Sequence, residues 1–137
     1  MSPDLFAKGE GEAREQKRAP SLHSDTDIYR AVAELGKAVT VAAVNMPREA
    51  KPIVGRQLVD EVTYMGVLVR RTNIARDAAK LPHLEELLEQ IEIVQFGLRV
   101  ARECRYLPNS AFEASLPLTV AVARQATALR NHFAPAP

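Results

Sequence analysis

The sequence predicts an all-α protein, folded as an antiparallel up-down-up-down four-helix bundle. Apolar residues recur every three or four positions in four segments, prolines separate these segments, and no segment shows the two-residue period of a strand. Connections of a few residues favour antiparallel neighbours. The 137 residues suit one domain, and 47% hydrophobic with 26% charged residues is typical of a soluble globular protein.

The first residues differ in composition from the rest of the chain. Residues 1–22 are predicted to be a disordered or flexible N-terminal tail, 23–133 the bundle, and 134–137 a frayed C-terminus. From Lys8 to Arg18 the chain is mostly polar, with no apolar period, so it buries too little surface to offset the entropy of ordering. A short amphipathic helix that orders on a partner and a vector-derived leader are the alternatives.

The first helix is predicted to begin between Ser24 and Asp27, because this stretch holds good N-cap residues and an acid that the helix dipole favours. The helix is expected to end at Asn45 and Pro47. Its expected core stripe is Ile28, Val32, Leu35, Val39 and Ala42.

The second helix is predicted to be the longest, from Pro52 to Lys80, which is about 43 Å at the helical rise. Pro52 suits a first helical turn, and Pro82 is expected to stop the helix. Gly55 and Gly66 lower its intrinsic stability and mark either close helix contacts or tolerated glycines. Its expected core stripe is Val54, Leu58, Val62, Met65 and Val69.

The third helix is predicted from about Pro82 to Arg105. Acids fill its first half and bases its second half, which complements the helix dipole. One expected core stripe is Leu84, Leu88, Ile91, Gln95, Leu98 and Ala101, with Leu87 and Val94 beside it.

The fourth helix is predicted to open after Pro108, with Asn109 or Ser110 as its cap and Glu113 at capping-box spacing from Ser110. Pro117 is expected to kink the helix unless the helix begins nearer residue 115. Its expected stripes are Phe112, Leu116, Val120 and Ala123, and next to them Val122, Ala126, Leu129 and Phe133.

No sequence motif indicates catalysis, a metal or a cofactor, so we expect a protein that is not an enzyme. His23, His83 and His132 fall at one end of the predicted bundle, but none has a second ligand at helical spacing. Surface histidines are therefore favoured over a metal site. Cys104 excludes an internal disulfide and is interpreted as a small, semi-buried thiol, with a reactive thiolate as the alternative.

The sequence also predicts no membrane segment. Its longest uncharged stretch is shorter than a membrane span. Met1 is followed by polar and charged residues without the apolar run of a secretory signal. We expect a cytoplasmic location.

One end of the predicted bundle is basic. Six bases and three acids give that end a net charge of +3, whereas the whole chain carries only +1. The six bases, which are the candidate nucleic-acid-binding residues, are Arg48, Lys51, Arg56, Arg99, Arg102 and Arg105. Such a cluster suits phosphate binding, although a solvated face that pairs with Glu103, Glu113 and the helix carboxyl ends is the alternative.

Apolar residues outside the core stripes predict self-association. They wrap more of each helix than a monomeric bundle needs, and an exposed apolar patch marks a protein interface. The surplus positions are Val67, Leu68, Ile93, Val94, Phe96, Leu118, Val120 and Val122.

The chain resembles a known family in two stretches, NMPREAKPIVGRQLVDEV and LPHLEELLEQIEIVQFGLRVARECRYLPNSAFE. It is similar to the four-helix-bundle proteins typified by the ribosomal-RNA intervening-sequence proteins. It is closer still to the accessory variability determinants of diversity-generating retroelements. The residues that carry the resemblance, within about residues 25–133, are Pro47, Arg48, Leu84, Leu87, Leu88, Leu98, Arg99, Val100 and Ala101.

This resemblance implies homopentameric rings of antiparallel bundles with basic surfaces. It also implies nucleic-acid binding and assistance to a reverse transcriptase that makes mutagenic cDNA. Two functions follow as hypotheses. One is a non-enzymatic accessory protein that binds RNA or DNA; the other is a cytosolic homo-oligomeric scaffold that binds no nucleic acid.

Overall fold

The computed structural model describes residues 26–135, which form four α-helices and contain no strand. The helices are α1 (Asp27–Val44), α2 (Arg56–Ile74), α3 (Leu81–Glu103) and α4 (Asn109–Phe133). Each helix packs against the next, and α4 packs back against α1, so the four close around a single core. The predicted all-α four-helix bundle is confirmed for these residues. The predicted tail, 1–22, lies outside them.

Neighbouring helices run in opposite directions. A Cβ built on Gly55, just before α2, would lie 3.4 Å from the Cβ of Ala43 at the end of α1. Arg130 near the end of α4 lies 3.8 Å from Glu85 near the start of α3. The ends of α1 and α3 therefore share one end of the bundle with the starts of α2 and α4.

The core is formed by one face of each helix. The predicted stripes of α1, α2 and α3 are confirmed for most positions, although Ala43 rather than Ala42 faces inward and Val54 and Leu88 are only half-buried. Burial of each large aliphatic side chain contributes about 1.5–3 kcal/mol. The largest buried side chains include Leu35, Leu58, Met65, Leu68, Leu84, Leu87, Ile91 and Leu98.

The boundary between α2 and α3 differs from the prediction. The helix was expected to reach Lys80, but α2 ends at Ile74, and a 3₁₀ turn at Asp77–Lys80 then leads into α3. Pro82 lies in the first turn of α3, near the predicted start of that helix, because a first helical turn needs no N–H from a proline. The expectation that Pro82 also stops α2 is wrong, because α2 has already ended at Ile74. Lys80 fixes the end of α2: its Nζ donates to the backbone oxygen atoms of Thr72 and Ala75 at 2.8 and 2.6 Å.

The predicted core face of α4 is partly wrong. Leu116 and Val120 are 40% and 46% exposed. The residues directly before them, Ser115 and Thr119, are the ones that face inward. Each hydroxyl donates to a carbonyl of its own helix, at 2.6 and 2.8 Å, which removes the cost of burying it. The helix continues through Pro117, which is exposed, and it begins at Asn109, so the alternative of a start nearer residue 115 is wrong.

Within residues 26–135, no helix combines the length and the apolar character required to cross a bilayer.

Candidate nucleic-acid interface

The six predicted bases lie at one end of the bundle but form two groups. The groove group is Arg48, Lys51 and Arg56, which line a groove between the end of α1 and the start of α2. The cleft group is Arg99, Arg102 and Arg105, at the end of α3. Arg102 and Arg105 line an open cleft of about 770 Å³ that also includes Asn45 and Pro47 from the α1–α2 connection.

Arg105 adopts a left-handed backbone conformation, with φ 65°. It follows the last turn of α3, where the N–H of Tyr106 donates to the oxygen of Ala101 and that of Arg105 to the oxygen of Arg102. This is a Schellman motif, whose left-handed position usually holds glycine. Any other residue there costs about 1–2 kcal/mol. The strain falls on an exposed, positively charged side chain at the cleft.

Arg102 is already engaged within the bundle. Its guanidinium carbon lies 4.1 Å from the centre of the Phe112 ring, and its Nη2 lies 3.1 Å from Glu103. The stacking joins the end of α3 to the first turn of α4, because Phe112 is itself a buried core residue. Arg102 thus connects α3 and α4 at the cleft. The predicted pairing of an arginine with Glu103 is confirmed for Arg102.

The start of α4 opens into the same cleft. The predicted side-chain caps at Asn109 and Ser110 are wrong: the N-cap is Pro108, and no side chain bonds to the free N–H groups of the first turn. Pro108 and Asn109 both line the cleft. The positive end of the α4 dipole therefore adds to the charges of Arg102 and Arg105.

Most of the remaining bases are unpaired. Arg56 lies 3.8 Å from Asp60, one helical turn away. Within residues 26–135, no acid lies within 4 Å of the charged atoms of Arg48, Lys51, Arg99 or Arg105, and all four residues are exposed. These four keep the full charge that a phosphate would meet.

The groove group surrounds an apolar floor. The groove has a volume of about 460 Å³, and Val44 and Val59 contribute to its walls. Just before α2 the backbone forms a π-helical turn, Lys51–Gly55, in which the N–H groups of both Val54 and Gly55 donate to the oxygen of Ala50. The close approach of Gly55 to α1 confirms one predicted glycine contact, whereas nothing lies within 4 Å of a Cβ on Gly66.

The predicted surplus apolar positions divide between core and surface. Leu68, Val94 and Val122 are core residues. Ile93 and Phe96, with Val100, form an exposed ridge on α3, where they are 47%, 69% and 39% exposed. Val67 and Val120 are also exposed, and Leu118 is half-buried.

The cysteine, the histidines and one tyrosine are the other side chains considered for a functional site. Cys104 is exposed, not semi-buried as predicted. His83 and His132 lie at the end opposite the basic one, His23 is outside residues 26–135, and no cluster of metal-ligating side chains occurs within that range. On α2, the Tyr64 hydroxyl donates to Glu86; this bond and partial burial raise the pKa of the tyrosine above its usual value.

Comparison with known proteins finds no matching family model, no matching curated protein and no matching solved structure.

Proposed function

We propose that this protein is a non-enzymatic, homo-oligomeric accessory factor that binds nucleic acid through the basic end of its bundle. The observation that carries the proposal is the set of four exposed, unpaired bases, Arg48, Lys51, Arg99 and Arg105, at that end. Exposed bases without acidic neighbours release counterions when they meet phosphates, which is the main source of sequence-independent affinity.

The resemblance to retroelement accessory proteins supplies the proposed setting. In that setting the protein acts in the cytoplasm as a homopentameric ring and assists a reverse transcriptase. A ring multiplies the charge of one bundle end by the number of subunits, which compensates for the net charge of only +1 on each chain. A reverse-transcriptase gene and a repeat pair beside the coding gene would support this setting.

The binding test is a gel-shift titration with single- and double-stranded RNA and DNA at two salt concentrations. The variant is Arg99→Ala/Arg105→Ala, because both side chains are exposed and neither is engaged in an ion pair among residues 26–135. The matched control is Arg70→Ala/Arg124→Ala, which removes two exposed bases away from the basic end. We expect binding that weakens with salt, weakens further in the first variant and is unchanged in the control.

The alternative is an oligomeric scaffold that binds no nucleic acid. Arg56 and Arg102 favour it, because Asp60, Glu103 and the Phe112 ring already engage them. Absence of any shift at low salt with all four nucleic acids would reject nucleic-acid binding and leave the scaffold. Equal weakening in the variant and in its control would reject the basic end as the binding surface.

A further inference from the structure

The exposed ridge on α3, formed by Ile93, Phe96 and Val100, lies on the side of the helix that faces away from the core. The core-facing residues of α3 include Leu84, Leu87, Ile91, Val94, Leu98 and Ala101. At 100° per residue, the ridge falls about half a turn from the centre of that set. No part of residues 26–135 covers Phe96, which is 69% exposed and the most exposed aromatic side chain of the bundle.

The groove between α1 and α2 is a concave surface, complementary in shape to the convex ridge on α3. Its apolar walls include Val44, which is 61% exposed, and it is open to solvent along its length. Gly55 lies at the base of the groove and has no side chain that would fill the groove. A Cβ at this position would already touch α1. A cavity of about 460 Å³ is ample for an aromatic ring and a neighbouring aliphatic side chain.

The ridge and the groove lie at the same height along the bundle. A Cβ on Gly97, next to Phe96, would come within 2.8 Å of Leu58, so this part of α3 is level with the start of α2. Arg56 and Val59, which flank Leu58, line the groove. Because the ridge and the groove are level with each other, the ridge of one copy can reach the groove of a second copy that lies beside it in the same orientation.

Charge favours the same pairing. Exposed acids dominate the borders of the ridge, which carry Glu89, Glu92 and Glu103 against the bases Arg99 and Arg102, the second of which is paired with Glu103. Bases dominate the rim of the groove, which carries Arg48, Lys51 and Arg56 against Asp60. Surfaces of opposite net charge steer association and suppress the wrong pairings of ridge with ridge and groove with groove.

We propose that the α3 ridge of one copy docks into the α1–α2 groove of a second copy, which rests on the self-association proposed above and gives it two specific surfaces. The ridge and the groove are different patches of one chain, so the contact is head-to-tail and builds a ring when it closes. Of the three bases at the rim, Arg56 is level with Phe96, and Arg48 and Lys51 lie nearer the end of the bundle.

Two complementary variants test the contact. Phe96→Lys places a cation against the basic rim, and Val44→Glu places an anion against the acidic ridge; both positions are exposed, so neither change affects the core. The control is Ile74→Lys, at a residue that is 65% exposed and belongs to neither surface. Loss of a central aromatic anchor raises a dissociation constant by at least about 30-fold.

The readout is the mass in solution, measured by sedimentation and light scattering at micromolar concentration. We expect an oligomer for the wild type and the Ile74 control, and a folded monomer for each of the other variants. A mixture of Phe96→Lys and Val44→Glu retains one intact ridge and one intact groove, so it is expected to associate again into dimers or larger oligomers. Circular dichroism confirms that each variant is folded.

Several results would overturn the contact. They are a monomeric wild type, an oligomer that survives either variant, and a mixture that stays monomeric. Nucleic-acid binding is measured separately by gel shift on the same samples, so its absence in an intact oligomer rejects the proposed function without touching the contact. Binding by a wild type that is monomeric rejects the contact and the proposed self-association, and it leaves nucleic-acid binding in place.

Discussion

Replacement of Arg105 with glycine is expected to stabilise the fold while it weakens nucleic-acid binding. The backbone of Arg105 has φ 65°, where a side chain costs about 1–2 kcal/mol. Glycine removes that cost but loses about 0.5–1 kcal/mol more chain entropy on folding. The net gain is about 0.5–1 kcal/mol, which corresponds to a rise of about 2–4 °C in Tm for a bundle of this size.

The measurement is urea and thermal unfolding followed by circular dichroism at 222 nm. Arg105→Ala is the control, because alanine removes the same charge and keeps the strain of the left-handed backbone. We expect the order of stability to be glycine above arginine, with alanine close to arginine. If glycine is no more stable than alanine, the left-handed cap contributes no strain and the reasoning is refuted.

The same two variants separate charge from strain in binding. Both remove one phosphate contact per subunit, so each is expected to reduce the slope of log affinity against log salt by about 0.7–0.9 for every subunit whose Arg105 contacts a phosphate. Arg105→Lys keeps the charge and is expected to keep most of the slope. Equal slopes in all four proteins would show that Arg105 does not contact phosphate, whatever happens to stability.

Three further predictions concern the bundle itself. Lys80→Met is expected to lower the free energy of unfolding by about 2 kcal/mol, measured in urea, because it leaves the backbone oxygens of Thr72 and Ala75 at the end of α2 without their charged donor. Gly66→Ala is expected to raise it by about 1 kcal/mol in the same assay, because the new methyl meets nothing within 4 Å. Tyr64 is expected to titrate above its usual pKa in absorbance at 295 nm, and Glu86→Gln to lower that pKa; stability from this bond is present below the usual pKa and is lost as pH rises through the folded-state pKa.

The sequence predicted the fold because helical periodicity is a local signal. Ile28, Val32, Leu35 and Val39 repeat at three and four residues, and all four face the core. The start of α3 near Pro82 was predicted correctly, but the end of α2 was placed at Lys80 because a proline stops a preceding helix, and α2 ends at Ile74 instead. Periodicity does not show where α2 ends. That end is marked by the hydrogen bonds from Lys80 to the backbone oxygens of Thr72 and Ala75.

The inward face of α4 was missed for a different reason. Periodicity ranks residues by apolar character, and Leu116 and Val120 outrank Ser115 and Thr119. Both hydroxyls bond to carbonyls of their own helix, so their burial costs little, and the bulky residues stay outside with Pro117. A hydropathy pattern does not show which hydroxyl groups donate a hydrogen bond to a carbonyl of their own helix.

The basic end was predicted correctly as a location, but not as an arrangement. Antiparallel topology alone places Arg48 and Arg102 at one end. Whether an arginine is unpaired, stacked on a ring or paired with an acid depends on helix rotation, which the sequence does not specify. Arg102 on Phe112 is the clearest case, because the two are ten positions apart and belong to different helices.

Each end of the bundle has a residue other than glycine with a left-handed backbone conformation. Asp77, at the end away from the bases, also has a left-handed backbone, with φ 51°, and there Lys80 supplies two hydrogen bonds beside it. At the basic end, Arg105 occupies a glycine position, and α4 begins without a side-chain cap, as α3 does at the other end. Both features lower stability, and both leave positive charge facing one cleft. Strained positions that converge on one surface are typical of a binding site, and this is a further reason to propose the basic end as the nucleic-acid-binding surface.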